Sequence, residues 1–119
     1  MPEGAKVFLV EDNDKIRELE RKFLEAAGHK AVLEAASLLE VLEKIEEAKK
    51  IGVNVGIIDS SLVPHDPNNK DGFLVAQKLR EEIPGIKIIS FTGLIADWGD
   101  INLTKPTSIG QLGTTVTNI

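Results

Sequence analysis

The chain has 119 residues, 42% of them hydrophobic and 28% charged, with a formal net charge of -5, a size suited to one domain with one core spanning 1–119. The acidic balance excludes the basic footprint of direct nucleic-acid binding, and the lack of cysteine excludes disulfides, thiolate metal sites and thiol nucleophiles. Its apolar runs fall far short of the ~20 residues that span a bilayer, and MPEGAK lacks an apolar signal region, so no membrane association and a cytoplasmic location are expected.

In chain order, residues 6–10 (KVFLV) read as a strand, followed at once by Glu11-Asp12-Asn13-Asp14 and a helical period of Ile16, Leu19, Phe23 and Ala27. Gly28 suits the left-handed position that ends a helix, and residues 29–34 (HKAVLE) are a second strand. Ser37 and Glu40 form a capping box ahead of Leu38, Leu42, Ile45 and Ala48, which repeat at helical spacing until Gly52. Residues 53–59 (VNVGIID) make a third strand ending on an acid, and 60–71, with Pro64 and Pro67, a loop. A helix from about Gly72 places Phe73, Ala76, Leu79 and Ile83 on one face and stops before Pro84. Residues 86–92 form the fourth strand and 101–104 a brief fifth. Ser108 and Gln111 suggest a last capping box, with Ile109, Leu112, Val116 and Ile119 at helical spacing.

Strands alternating with helices, several apolar on both sides, predict an α/β fold with a parallel sheet covered on both faces. Ligands in such sheets sit beyond the carboxyl ends of the strands. Those ends carry Glu11 and Asp12, Asp59, Thr92 and Lys105. Three convergent acids repel one another, and a hard divalent cation such as Mg²⁺ relieves the repulsion through oxygen ligands and retained waters. A carboxylate can also attack phosphorus, for which Asp59 is suited, while Lys105 and the Thr92 hydroxyl would stabilise phosphoryl oxygens.

Over nearly its whole length the chain resembles the receiver domain of bacterial two-component response regulators (CheY-like). The matching pieces are VFLVEDN, IIDSSLVP, the DG that opens the third helix, IISFTG and LTKP. The resemblance implies a flavodoxin-like three-layer sandwich with sheet order 2-1-3-4-5. It also implies a non-enzymatic phosphoacceptor that takes its group from a sensor histidine kinase or phosphotransfer protein, depends on Mg²⁺, and acts on an output protein by contact. Residue by residue, Glu11 and Asp12 fall on the acidic pair, Asp59 on the phosphoacceptor, Ser61 on the metal-binding carbonyl, Thr92 on the switch hydroxyl and Lys105 on the phosphate-binding lysine. Pro106 would follow a cis peptide bond.

Several features depart from that pattern. Glu11 is a longer arm than the usual aspartate, Pro64 comes one position late, and extra polar residues precede Asp71-Gly72. Thr92 and Lys105 are 13 positions apart (105 minus 92), too few for a full fourth helix, which is expected to be shortened or missing. The aromatic switch position falls on Asn102. These departures keep open a pseudo-receiver that acts by protein contact without phosphorylation. A Mg²⁺-dependent hydrolase ranks below both, since Ser61 stands where such enzymes carry a second acid, and a dinucleotide site lacks its glycine motif. As ordinary alternatives, Asp12, Asn13 or Asp14 could simply cap a helix, and His29 and His65 could be merely solvated. Trp98, with Leu94 and Ile95, would form either a partner-binding patch or a cover for the core.

Overall fold

Apolar runs of strand length alternate with apolar residues at helical spacing, and the computed structural model, which describes residues 4–59, 62, 69–93, 96–104 and 109–119, places one element on each. The order is β1 (Lys6–Val10), α1 (Asp14–Ala26), β2 (Lys30–Ala35), α2 (Leu38–Ile51), β3 (Val55–Ile58), α3 (Asp71–Glu82), β4 (Lys87–Thr92), β5 (Ile101–Thr104), a 3-10 turn (Ile109–Gln111) and α4 (Leu112–Asn118). The five strands form one sheet in the order β2-β1-β3-β4-β5, every pair parallel. This is the expected flavodoxin-like arrangement. Among the described residues no helix is long and apolar enough to cross a membrane.

Two apolar layers flank the sheet. On one face Phe8, Val10, Ile58 and Ile88 pack against Val41, Ile45 and Ala48 of α2 and Val75, Ala76 and Leu79 of α3. On the other, Val7, Leu9, Ile57, Ile89 and Phe91 meet Leu24 of α1 and Leu112 and Val116 of α4. Successive strand residues alternate between these layers, as period-2 geometry requires. β2 begins at Lys30 instead of His29, and β3 ends before Asp59.

The helical faces match the expected ones in part: Ile45 and Ala48 of α2 and Ala76 and Leu79 of α3 are buried as expected, and α1 differs most. Leu19 and Phe23 of α1, Leu42 of α2 and Phe73 of α3 are exposed, while Glu20 and Leu24, Val41, and Val75 take the inward positions. In α2 and α3 the apolar residues cover more than one narrow stripe, and the fit to the sheet decides which of them turn inward. The ends follow local chemistry. Asn13 Oδ1 accepts the Lys15 and Ile16 N–H groups, and Ser37 Oγ accepts from Glu40 N–H while Glu40 reaches back to Ala36 N–H. Gly28 and Gly52 adopt the left-handed φ values of 88° and 87° that end α1 and α2.

His29 is not solvated. It is buried, its Nδ1 accepts the Ala5 N–H at 2.9 Å, and its Nε2 lies 2.8 Å from Thr117 Oγ1 and 3.2 Å from the Gly113 carbonyl. The ring thereby ties the lead-in to β1 to α4, a role invisible in a lone histidine.

Between β4 and β5 the described residues contain no helix. Only residues 93–100 separate the two strands, fewer than the dozen or so that a helical crossover takes. Asp100 makes the short route possible: its N–H donates to the Ile88 carbonyl and its Oδ2 accepts the Ile88 N–H, both at 2.7 Å. The carboxylate thus fills a sheet rung that strand backbone would otherwise occupy. Arg80 of α3 donates to the Trp98 carbonyl at 2.8 Å, and Trp98 packs, half-buried, on the α2–α3 layer. Of the two readings of Trp98, it is a cover for the core; Leu94 and Ile95 lie outside the described residues.

Gly113 marks the tightest helix contact, since an added Cβ would lie 2.5 Å from Ala27 Cβ and 3.2 Å from the Phe23 carbonyl oxygen. Helix propensity alone favours alanine over glycine by about 1 kcal/mol, but overpacking costs about 1–3 kcal/mol. Gly113→Ala should therefore lower stability by about 1 kcal/mol, measured by urea unfolding; a more stable variant would show that α1 and α4 can move apart freely.

Candidate functional site

The site grows out of the pairing of β1 with β3. Val10 stands opposite Ile58, and one step on the Asp59 N–H donates to the Val10 carbonyl at 3.0 Å. On the other side the Glu11 N–H donates to the Ala35 carbonyl of β2, also at 3.0 Å. The first residues beyond both strands are therefore held side by side at the carboxyl edge of the sheet. Because Asn13 caps α1, Asp12 is left to the cluster instead of serving as a cap.

Glu11, Asp12 and Asp59 each present a carboxylate oxygen, and all three lie within 4.8 Å of one another. Glu11 is 1% exposed and Asp59 9%, whereas Asp12 is half-buried. Glu11 Oε2 accepts the Asn13 N–H at 3.2 Å, which turns this longer side chain back over its own loop. Like charges this close repel one another. A set of hard oxygen donors with partial access to water suits Mg²⁺, which takes one or two carboxylates and keeps several waters.

Thr92, 2% exposed, ends β4 and pairs with Thr104 of β5. Ser90 pairs with Ile58, so Thr92 stands on the same sheet edge as Asp59, two residues beyond that rung. Lys105, Ser61 and Pro106 lie outside the described residues, as do Pro64, His65 and Asp66.

Sequence reasoning passed over Arg17. It lies one turn into α1, from where a long side chain points back toward the helix start. Its Nη1 donates to the Glu11 carbonyl at 2.7 Å, its Nε to Glu34 Oε1 at 3.0 Å and its Nη2 to Asp14 Oδ1 at 2.6 Å. Burial lowers the guanidinium pKa, but the hydrogen bonds and charges of Asp14 and Glu34 together outweigh it and the net shift is upward. Arg17 therefore stays charged at every accessible pH.

In the absence of metal, Asp59→Asn should raise the melting temperature, because one of three crowded charges is removed. Added Mg²⁺ at about ten times its dissociation constant should stabilise the wild type by about 1.4 kcal/mol, a rise of several degrees, and the Asn variant much less. Scanning calorimetry with and without Mg²⁺ checks both; equal Mg²⁺ responses would remove Asp59 from the cation site.

The family model for the response regulator receiver domain matches residues 7–112. Among curated proteins no match is found. Solved structures with the same fold include a CheY-like receiver domain from Methanospirillum hungatei JF-1, at 23% identity and a TM-score of 0.76 over 97% of this chain and 92% of that one. Another, from Methylobacillus flagellatus, has 21% identity and a TM-score of 0.75 over 97% and 98%. The PhyR response regulator REC domain of Erythrobacter litoralis has 16% identity and a TM-score of 0.79 over 98% and 90%. With acids at the ends of β1 and β3, a hydroxyl at the end of β4, the 2-1-3-4-5 sheet and a family match across most of its length, this chain belongs to the response regulator receiver domain family of two-component signalling.

Proposed function

We propose that the chain accepts a phosphoryl group on Asp59 from a sensor histidine kinase or phosphotransfer protein, in the cytoplasm and with Mg²⁺, and passes the signal on by protein contact. The observation that carries this reading is the convergence of Glu11, Asp12 and Asp59 within 4.8 Å, at a register where Asp59 directly follows a central strand. An Asp59 oxygen attacks the phosphorus of a phosphohistidine donor. The new bond is O–P, the bond that breaks is P–N, and the departing imidazole nitrogen takes up a proton. Glu11, Asp12, Asp59 and the carbonyl assigned by resemblance to Ser61 would hold Mg²⁺, which when bound neutralises charge on the transferring group. The Thr92 hydroxyl donates to a phosphoryl oxygen, and the ammonium of Lys105, again assigned by resemblance, offsets its charge. The chain is a receiver of the group and not an enzyme that turns it over.

Asn102 favours a second reading for the output step. Its Oδ1 accepts from Ser90 Oγ at 2.6 Å and from the Gly99 N–H at 3.0 Å, and its Nδ2 donates to the Gly99 carbonyl at 3.4 Å. The position that by resemblance belongs to a mobile aromatic ring is thus occupied by an amide bonded to both β4 and the crossover. That arrangement supports a pseudo-receiver whose contact surface is the same with or without phosphorylation.

Incubation with a small acyl phosphate and Mg²⁺, followed by intact-mass and peptide mass spectrometry, should show one phosphoryl group on Asp59 and none in Asp59→Asn. An unchanged wild-type mass would overturn the phosphoacceptor reading. Hydrogen exchange across residues 96–104 then separates the output readings: altered protection on phosphorylation supports a moving β4–β5 surface, and unaltered protection a fixed one.

A further inference from the structure

We infer that Arg17 is a positioning residue for the carboxylate site, holding the Glu11-Asp12 turn in register with Asp59 by clamping the Glu11 backbone carbonyl to β2. The inference rests on the Mg²⁺-dependent reading above. Each of the three guanidinium nitrogens holds a different group: the Glu11 carbonyl at the end of β1, Glu34 on β2 and Asp14 in the first turn of α1. The anchor on β2 is itself held, since Arg21 Nη1 donates to the second Glu34 oxygen at 3.1 Å and Lys44 Nζ to the Glu34 carbonyl at 2.6 Å. Glu11 is consequently fixed through both of its peptide groups, its N–H on Ala35 and its carbonyl on Arg17. Only the planar fork of arginine reaches three acceptors in different directions; a lysine ammonium is a point charge.

Two roles for Arg17 predict opposite signs. If it acted as a counter-charge to the acids, its removal would leave the cluster more negative and tighten cation binding. Its charge is already matched by two carboxylates, Asp14 and Glu34, so its influence on the site is geometric and its loss should weaken binding.

Isothermal titration of MgCl₂ into the full chain, at a temperature where circular dichroism shows every variant folded, distinguishes them. Arg17→Lys and Arg17→Met should each weaken Mg²⁺ about tenfold, the scale of losing an outer partner of a metal ligand. Glu34→Gln, which withdraws part of the anchor, should weaken it less. Gly113→Ala, destabilising but remote from the acids, should leave it unchanged. Unchanged or tighter binding in Arg17→Met overturns the inference, as does an equal loss in Gly113→Ala, which would mark a general loosening. A wild type that binds no Mg²⁺ overturns the metal reading and this inference with it, whereas a binding wild type with unaltered Arg17 variants overturns this inference alone.

Discussion

The parallel pairing of β1 with β3 is the constraint on which the rest depends, and its last rung, the Asp59 N–H on the Val10 carbonyl, sets the geometry of the site. Both strands are covered on both faces, so their apolar residues must end at the same level, where the helical layers end. The next residues along the chain are acids in both cases. Burying the strands thus brings like charges together. Such crowding is what a divalent cation would relieve.

The other half of the sheet answers a different problem. A parallel strand pair needs a crossover, and eight residues are too few for a helix to supply it. Asp100 substitutes its carboxylate for strand backbone opposite Ile88, Gly99 passes so close to Ser90 and Ile101 that a side chain would collide with their backbone, and Arg80 fastens the loop to α3. The outward face of β5, Asn102 and Thr104, is correspondingly polar and exposed, while Ile101 and Leu103 pack on the α1–α4 layer. The alternation apolar-in, polar-out of INLT is that of an edge strand with one side uncovered. The altered region lies beside β4 and β5 and leaves the acids at the ends of β1 and β3 untouched.

Two helices show where pattern reading stops short. In α2, the expected Ile45 and Ala48 are buried and Leu38 packs on the core, but Val41 takes the inward place that the pattern gave to Leu42. In α1, the buried position falls on Glu20, which no hydrophobic template would choose, and leaves Leu19 and Phe23 outside. Arg17 and His29 carry little local signal for a related reason: the partners that give each its role include residues in other elements, Glu34 17 positions from Arg17 and Thr117 88 positions from His29.

The strand positions, the helix cap at Ser37, the glycine stops and the acids at strand ends were legible from the sequence, since each depends on residues within a few positions of one another, whereas the α1 cap stayed open among Asp12, Asn13 and Asp14. The shortness of the crossover followed likewise from counting. Which helical stripe faces inward, how Arg17 joins β1 to β2, and that Asp59 lies within 4.8 Å of Glu11 and Asp12 were decided only by tertiary structure. Those facts depend on the register of neighbouring strands and on shape-matched packing of layers, both of which are set by contacts between segments that the linear order keeps apart.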